Sequence, residues 1–421
     1  MLILPGARHG AVTARASKSH VHRLLILAAL GACECFVDLE NAYSRDTDAT
    51  ARCLDALGAD IIREGGGYCV RPISAAPRGG VTLDCGESGA TLRFILPLCG
   101  ALGVEARILT HGRLGARPIA ALENALTAHG MTLHRADDGA LCCAGRLAPG
   151  EYTLDATVSS QFVSALLLAL PRLGGASRLA VTGEDNSAGY IALTERALAS
   201  ADIDFEKHDR TYTIPGNQRA ALPRRVCAEG DWSGAAAFLC MGALSAQGVA
   251  VSGLDMNSAQ PDRAVVGLLR GFGALVTKTP EGVFTRGKTR LVGADIDAAP
   301  APDLVPVLAA LAACAEGETR IYNAARLRQK ESDRLAATAR LINDLGGTAR
   351  ETADGLIIHG VPRLCGGAAC AAHDHRIAMA AALCAVMSTG SVELDEGECV
   401  GKSCADFWSD FESLTRGGNG E

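Results

Sequence analysis

The chain has 421 residues, with 40 Lys and Arg against 47 Asp and Glu, a formal net charge of −7 and 4% aromatic residues. That balance excludes a nucleic-acid coat, which needs a basic surplus to track phosphates or aromatic platforms to stack bases, but it leaves room for a small basic pocket. At roughly 100 to 200 residues per domain the length predicts two or three domains, each with its own core.

Strand-forming residues fill 1–14, and a helix-like apolar run then follows Ser17. Similar runs follow Ser88, Ser159, Asp231, Asp303 and Asp374, at spacings of 71, 71, 72, 72 and 71 residues. Ser and Asp are favoured helix caps, because their oxygens accept from the unpaired N–H groups of the first turn. A second helix in each repeat ends at a small residue, in turn Gly58, Gly130, Ala201, Gly273, Gly346 and Gly418. Between the two helices lie short strand-like runs such as Val104 to Thr110, Leu179 to Thr182, Val249 to Ser252 and Thr319 to Tyr322. After the second helix comes alternation broken by a turn, as at Asp138-Gly139, Glu281-Gly282 and Asp354-Gly355. Each repeat therefore reads β-α-β-α-β-β, an α/β unit that buries its helix faces only against its siblings. The sixth reaches Gly418 with no hairpin after it, so the segment Met1 to Ala14 is expected to complete it. Two domains follow: 16–228 with three repeats, and 1–15 plus 229–421 with three more.

The longest apolar runs, 304–315 and 377–387, fall short of the roughly 18 residues that span a bilayer, and Met1-Leu2-Ile3-Leu4-Pro5 does not read as a secretory signal. A cytoplasmic protein without a membrane partner is expected. The 16 cysteines contain no C-x-x-C pair and many sit in apolar stretches, so they read as buried reduced thiols.

If the six first helices are arranged alike, their N-termini bring together N–H groups and positive dipole ends, which select anions. Cations placed at such starts, Lys18 with Arg23, Arg93 after Ser88-Gly89, and Arg376 after Asp374-His375, oppose the dipole, so an anionic ligand is the simpler explanation. Two further basic clusters are Arg117-Pro118, read as the mouth of a helix over 119–128, and Arg328 to Arg334. The second can equally be a solvated face with local pairs such as Lys330 with Asp333 or Arg334 with Glu331. No phosphate-binding glycine loop occurs in a fitting context, and His373 with His375 lack a third ligand, so neither a nucleotide cofactor nor a metal is expected.

Taken in order, Ser17-Lys18-Ser19 with Arg23, Asp84 to Arg93, Arg117-Pro118-Ile119, Ser159-Ser160-Gln161, Tyr190, Glu229-Gly230-Asp231, Asp303, Lys330 to Arg334, Asp374-His375-Arg376 and Gly401-Lys402 span nearly the whole chain. In this the sequence resembles the 5-enolpyruvylshikimate-3-phosphate synthase family. The resemblance implies a two-domain inside-out α/β barrel with the active site in the cleft between domains. The implied reaction transfers the enolpyruvyl group of phosphoenolpyruvate to the 5-hydroxyl of shikimate 3-phosphate by addition and elimination, without cofactor or metal, in a monomer. Asp303, Lys330 and Glu331 match the acid–base groups, and a lysine crowded by arginines is expected to give up its proton readily. Lys18, Gly89, Arg117, Gln161, Arg334, Arg376 and Lys402 match the phosphoenolpyruvate side. Lys18, Ser19, Arg23, Ser159, Ser160, Gln161, Ser187, Tyr190, Asp303, Asn323 and Lys330 match the shikimate 3-phosphate side.

Departures from the family pattern are Glu87 where Asn is common, Ala90 where Thr is frequent, and a longer stretch between Asn323 and Lys330. The resemblance also implies that the family's inhibitor glyphosate fits beside Gly89. Two rivals stand: the related UDP-N-acetylglucosamine enolpyruvyl transferases, whose loop cysteine is missing from 110–118, and a non-catalytic anion-binding relative.

Overall fold

The structure, a computed structural model, describes residues 1–74, 80–183, 188–288 and 290–417. The chain divides into two compact units, Ala16–Ala228 and Met1–Arg15 with Glu229–Glu421, each with its own apolar core. No helix among the described residues is long and apolar enough to cross a membrane. Among them, too, the cysteines are unbridged; Cys33, Cys227 and Cys365 are exposed.

Each repeat carries two helices: α1 (Lys18–Ala29) and α2 (Arg45–Ala56), α3 (Gly89–Leu102) and α4 (Ala120–Thr127), α5 (Ser160–Ala169) and α6 (Ala188–Ser200) in the first unit. In the second unit they are α7 (Trp232–Ala243) and α8 (Val265–Gly271), α9 (Val305–Ala312) and α10 (Arg334–Asp344), α11 (His375–Val386) and α12 (Phe407–Ser413). The odd-numbered helices are apolar on every face, a pattern stable only when the whole helix is enclosed. All of α7, α9 and α11 is buried. In α1 the residues only partly buried are Lys18, Ser19 and His20, and in α5 it is Gln161, all in the first turn. Within each unit the three odd helices touch one another, and α1, α3, α7, α9 and α11 also touch the sheets of their own repeats.

The second repeat shows the sheet pattern in continuous chain. Val81–Asp84 lies parallel to Ala106–Leu109, a pairing that needs a crossover, which α3 supplies; the hairpin Met131–Arg135 and Leu141–Gly145 then adds antiparallel. The third and fifth repeats have the same strand order. In the first repeat the parallel first strand is Arg225–Cys227, from far along the chain, and in the fourth it is Arg8–Thr13.

This corrects the expectation for the N-terminal segment. Only Leu2–Ile3 joins the sixth repeat, antiparallel to Val392–Leu394, while Arg8–Thr13 serves the fourth. The physical reason is that α7 follows directly on Asp231, after Arg225–Cys227 has been taken by the first repeat, so the fourth must draw its parallel strand from elsewhere. Thr415–Arg416, after α12, pairs with Arg8 and His9.

Five of the six expected caps are N-caps. Ser88, Ser159, Asp231 and Asp374 accept from the backbone N–H of Thr91, Gln161, Ser233 and Arg376, and Ser17 caps α1 without a side-chain bond. Asp303 is the exception. It lies inside a 3-10 turn, Pro302–Leu304, and Leu304 caps α9, whose second residue Pro306 has no N–H to bond. At the far ends, Gly58, Gly130, Gly273 and Gly346 take left-handed backbone at φ 101, 101, 91 and 86°; in the third repeat Asp202 does so at 52°, one residue past Ala201. In the last repeat α12 ends at Ser413, ahead of Gly418, which lies outside the described residues.

Gly360 follows the fifth hairpin where the chain runs against the end of α9, and a Cβ there would stand 1.5 Å from the Ala315 carbonyl oxygen. Backbone cannot yield as a side-chain tip can. Gly360→Ala is expected to cost about 3 kcal/mol, read as a lowered denaturation midpoint; an unchanged midpoint would mean that this hairpin exit packs less tightly.

Candidate functional site

The predicted residues fall in two groups, one in each compact unit. In Ala16–Ala228 they gather at the starts of α1, α3 and α5. Lys18 reaches Asp46, near the start of α2, with Nζ 2.9 Å from Oδ2. Gly89 opens α3 behind its Ser88 cap, and two guanidinium groups pack onto it: a Cβ on Gly89 would lie 2.7 Å from Nη1 of both Arg93 and Arg117. Arg93 also donates from Nη1 to Gln161 Oε1 at 2.7 Å, joining the α3 and α5 starts. Ser159 accepts from the Gln161 N–H at 3.2 Å, and Ser160 is buried beside it.

Arg23 is 2% exposed and fastens α1 to its neighbours, donating to Thr194 Oγ1 at 2.8 Å, Ser164 Oγ at 3.3 Å, the Tyr190 carbonyl at 3.0 Å and the Ser19 carbonyl. Its place is thus deeper than the sequence suggested. Burial and the nearby cations Arg23 and Arg196 push His20 down to about 4, so it is neutral at pH 7. Ser187 lies outside the described residues.

Two sequence readings change here. The α4 helix begins at Ala120 with Ile119 as its cap, one residue later than the expected start at 119, so Pro118 stands before the cap. Arg117 instead closes the short 3-10 turn Leu114–Ala116, which turns it onto Gly89. The exposed Glu87, unwelcome beside an anion site, points to Gly112, whose Cβ would meet Oε1 at 2.5 Å.

The other unit gathers its residues around Arg334, the first residue of α10, which is 1% exposed. Its Nε lies 2.8 Å from Asp374 Oδ2, Nη1 2.8 Å from Asp303 Oδ1 and Nη2 2.8 Å from Glu331 Oε2. Ser332 Oγ donates to Asp374 at 3.0 Å. Lys330 Nζ stands 3.6 Å and Arg376 Nη2 3.9 Å from Asp303. Burial pushes the Asp303 carboxyl up, but Lys330, Arg334 and Arg376 outweigh burial and the repulsion of Glu331, holding it well below the usual carboxylate range. Burial would lower Arg334, yet Asp374, Glu331 and Asp303 raise it well above its ordinary value. Lys402, in the 3-10 segment Gly397–Lys402, is buried.

The local pair Arg334 with Glu331 is therefore present, but as one edge of a larger cluster, while Asp333 instead caps α10 and pairs with Arg328 at 3.0 Å. Asn323 is exposed in left-handed backbone, φ 57°, with its side-chain amide donating to Asp297 at 3.1 Å and its backbone N–H to Asp354, neither of them a member of the Arg334 cluster. The sequence reading missed Asp46 and took Asp374 for a cap alone. A carboxylate in the first turn of α2 was the available signal for Asp46, but nothing in the sequence pairs it with Lys18, 28 residues earlier.

Asp303 has a folded pKa below its unfolded value of about 3.9, so its contribution to stability is complete well above pH 4 and is lost as the pH falls toward the folded value. Asp303→Asn is expected to lower stability at pH 7, with the gap from wild type closing on acidification; an equal gap at pH 7 and pH 3 would contradict this pairing. Gly89→Ala is expected to fold normally, because only flexible guanidinium tips must move, and to weaken phosphate-type anions about tenfold by displacing them. Isothermal titration with phosphoenolpyruvate checks it.

The sequence pattern of the family described as EPSP synthase (3-phosphoshikimate 1-carboxyvinyltransferase) matches residues 5–411. The 3-phosphoshikimate 1-carboxyvinyltransferase of Clostridium beijerinckii is similar at 37% identity over 425 residues, 98% of this chain and 96% of its own. That of Clostridium kluyveri is 37% identical over 417 residues, again 98% and 96%. In fold, the chain resembles the 2.37 Å structure of EPSP synthase from Acinetobacter baumannii, with a TM-score of 0.81 at 24% identity over 99% of this chain and 98% of that one. With a family pattern matched over nearly its whole length and relatives this similar end to end, the chain belongs to the EPSP synthase (3-phosphoshikimate 1-carboxyvinyltransferase) family.

Proposed function

We propose that this protein transfers the enolpyruvyl group of phosphoenolpyruvate to the 5-hydroxyl of shikimate 3-phosphate, releasing inorganic phosphate. The observation that carries the reading is the gathering of Asp303 and Glu331 on one buried Arg334, with Lys330 Nζ 3.6 Å from Asp303, because binding alone would not need acid–base groups placed so. Family membership supports it, and the relatives reported above carry the matching name. The rival UDP-N-acetylglucosamine activity has no such support. The same reading keeps the protein in the cytoplasm as a monomer.

Phosphoenolpyruvate brings a phosphate and a carboxylate. In this reading Lys18, Gly89, Arg117, Gln161, Arg334, Arg376 and Lys402 serve it, since the arginine fork binds such oxygens in pairs. Shikimate 3-phosphate takes Lys18, Ser19, Arg23, Ser159, Ser160, Gln161, Ser187 and Tyr190, with Asp303, Asn323 and Lys330 facing its ring hydroxyls. Asn323, tied to Asp297, must turn to do so.

Addition protonates C3 of phosphoenolpyruvate while the 5-hydroxyl loses its proton and attacks C2; elimination then removes a C3 proton and expels phosphate. Asp303 is the proposed base. Held low by three cations it is a weak base at rest, and an arriving anion that engages those cations raises its proton affinity when the hydroxyl is in place. Lys330 is the proposed proton donor to C3. Glu331, accepting from Arg334, holds that guanidinium in place.

Phosphate release from phosphoenolpyruvate, measured in chelator with and without shikimate 3-phosphate, tests the reading. Wild type is expected to release phosphate only when both are present, and Lys330→Met to lose at least about a hundredfold in kcat. Release that follows UDP-N-acetylglucosamine, or none at all, would sink it.

A further inference from the structure

Beneath the cationic surface of the Ala16–Ala228 unit lies a line of hydroxyls that the reaction does not touch. Thr91, in the first turn of α3, and Thr50, in α2, are both fully buried, and His22, in α1, is 1% exposed. Thr91 Oγ1 donates to Ser88 Oγ at 2.7 Å, with the Asp46 carbonyl at 3.3 Å as the alternative acceptor. It also lies 2.6 Å from Thr50 Oγ1, which lies 2.7 Å from His22 Nδ1.

A hydroxyl has one hydrogen to give. With that of Thr91 committed to Ser88 or Asp46, Thr50 must donate to Thr91, and His22 must donate from Nδ1 to Thr50. The line therefore runs one way, from His22 to the cap of α3. Burial pushes His22 down to about 3, with the nearby Asp46 opposing and Lys18 and Arg23 adding, so the ring stays neutral and can play this donor role through the physiological range.

The Thr91 end of the line touches two parts of the cradle. Ser88 precedes Gly89, on which Arg93 and Arg117 pack, and Asp46 holds Lys18 through its side chain while its carbonyl faces Thr91. One oxygen, Thr91 Oγ1, thus stands between the two supports of the anion-binding groups. Helix starts tied in this way cannot drift apart without leaving a buried polar atom unpaired, which costs about 1 to 3 kcal/mol.

We infer that Thr91, backed by Thr50, is a positioning residue that sets the spacing between Lys18 and the Gly89 turn and so tunes affinity for the phosphate-bearing enolpyruvyl donor. The inference rests on the reading of Lys18, Gly89 and Arg117 as groups that hold phosphoenolpyruvate.

The test is steady-state kinetics of Thr91→Val, which keeps the shape and removes the hydroxyl, beside Thr91→Ser, which keeps the hydroxyl. Thr91→Val is expected to raise KM for phosphoenolpyruvate about tenfold, the equivalent of one lost hydrogen bond, while KM for shikimate 3-phosphate and kcat stay within about threefold. Thr91→Ser is expected to keep the wild-type KM for phosphoenolpyruvate. Equal rises in both KM values, an unchanged KM in Thr91→Val, or the same defect in Thr91→Ser would overturn the inference. Should Thr91→Val not fold, Thr50→Val poses the same question. If wild type shows no turnover with the two substrates, the proposed function falls, and calorimetric affinity for phosphoenolpyruvate then decides the inference: equal values in wild type and Thr91→Val would end it.

Discussion

A helix that is apolar on every face must be enclosed along its whole length, and that demand organises this protein. Burying α7, α9 and α11 completely, and α1, α3 and α5 except near their ends, leaves polar chemistry one natural place among them, the helix starts. There the first-turn N–H groups need acceptors, and Ser or Asp caps supply some of them. The repeat multiplies this arrangement, so several positive helix ends are brought together within each compact unit. A family acting on phosphates and carboxylates finds in such ends a setting that is already electropositive.

The buried ion cluster around Arg334 follows a related logic. Taking a guanidinium out of water costs several kcal/mol unless its donors are satisfied, and Asp374, Glu331 and Asp303 satisfy them from three directions. Asp374 is wholly buried and also caps α11, so its hold on Arg334 is anchored to a helix. Asp303 is less enclosed and faces three cations, Lys330, Arg334 and Arg376.

Much of this was legible in the sequence, for stated reasons. The regular spacing of caps exposed the repeats because a helix start needs a local acceptor, and local needs leave local marks. Asp303 falls in the right register, yet it caps nothing, because Pro302 and Pro306 reshape the turn around it. The same displacement frees its carboxylate for Arg334 and Lys330. Asp46 and Thr50 were invisible because their partners, Lys18 and Thr91, are 28 and 41 residues away.

By itself the sequence determined the α/β class, the six repeats, the placing of most helix starts and the cationic character of the residues there, since each follows from hydrophobic period, cap chemistry or charge within a few neighbours. Tertiary structure alone decided which strands the N-terminal segment joins, with Arg8–Thr13 going to the fourth repeat and Leu2–Ile3 to the sixth. It alone turned Arg117 onto Gly89, drew Arg23 into the core and matched Lys18 with Asp46 and Arg334 with Asp374. Strand pairing and ion pairing join residues distant in the chain, and their energies depend on burial and distance, which no local pattern of residues encodes.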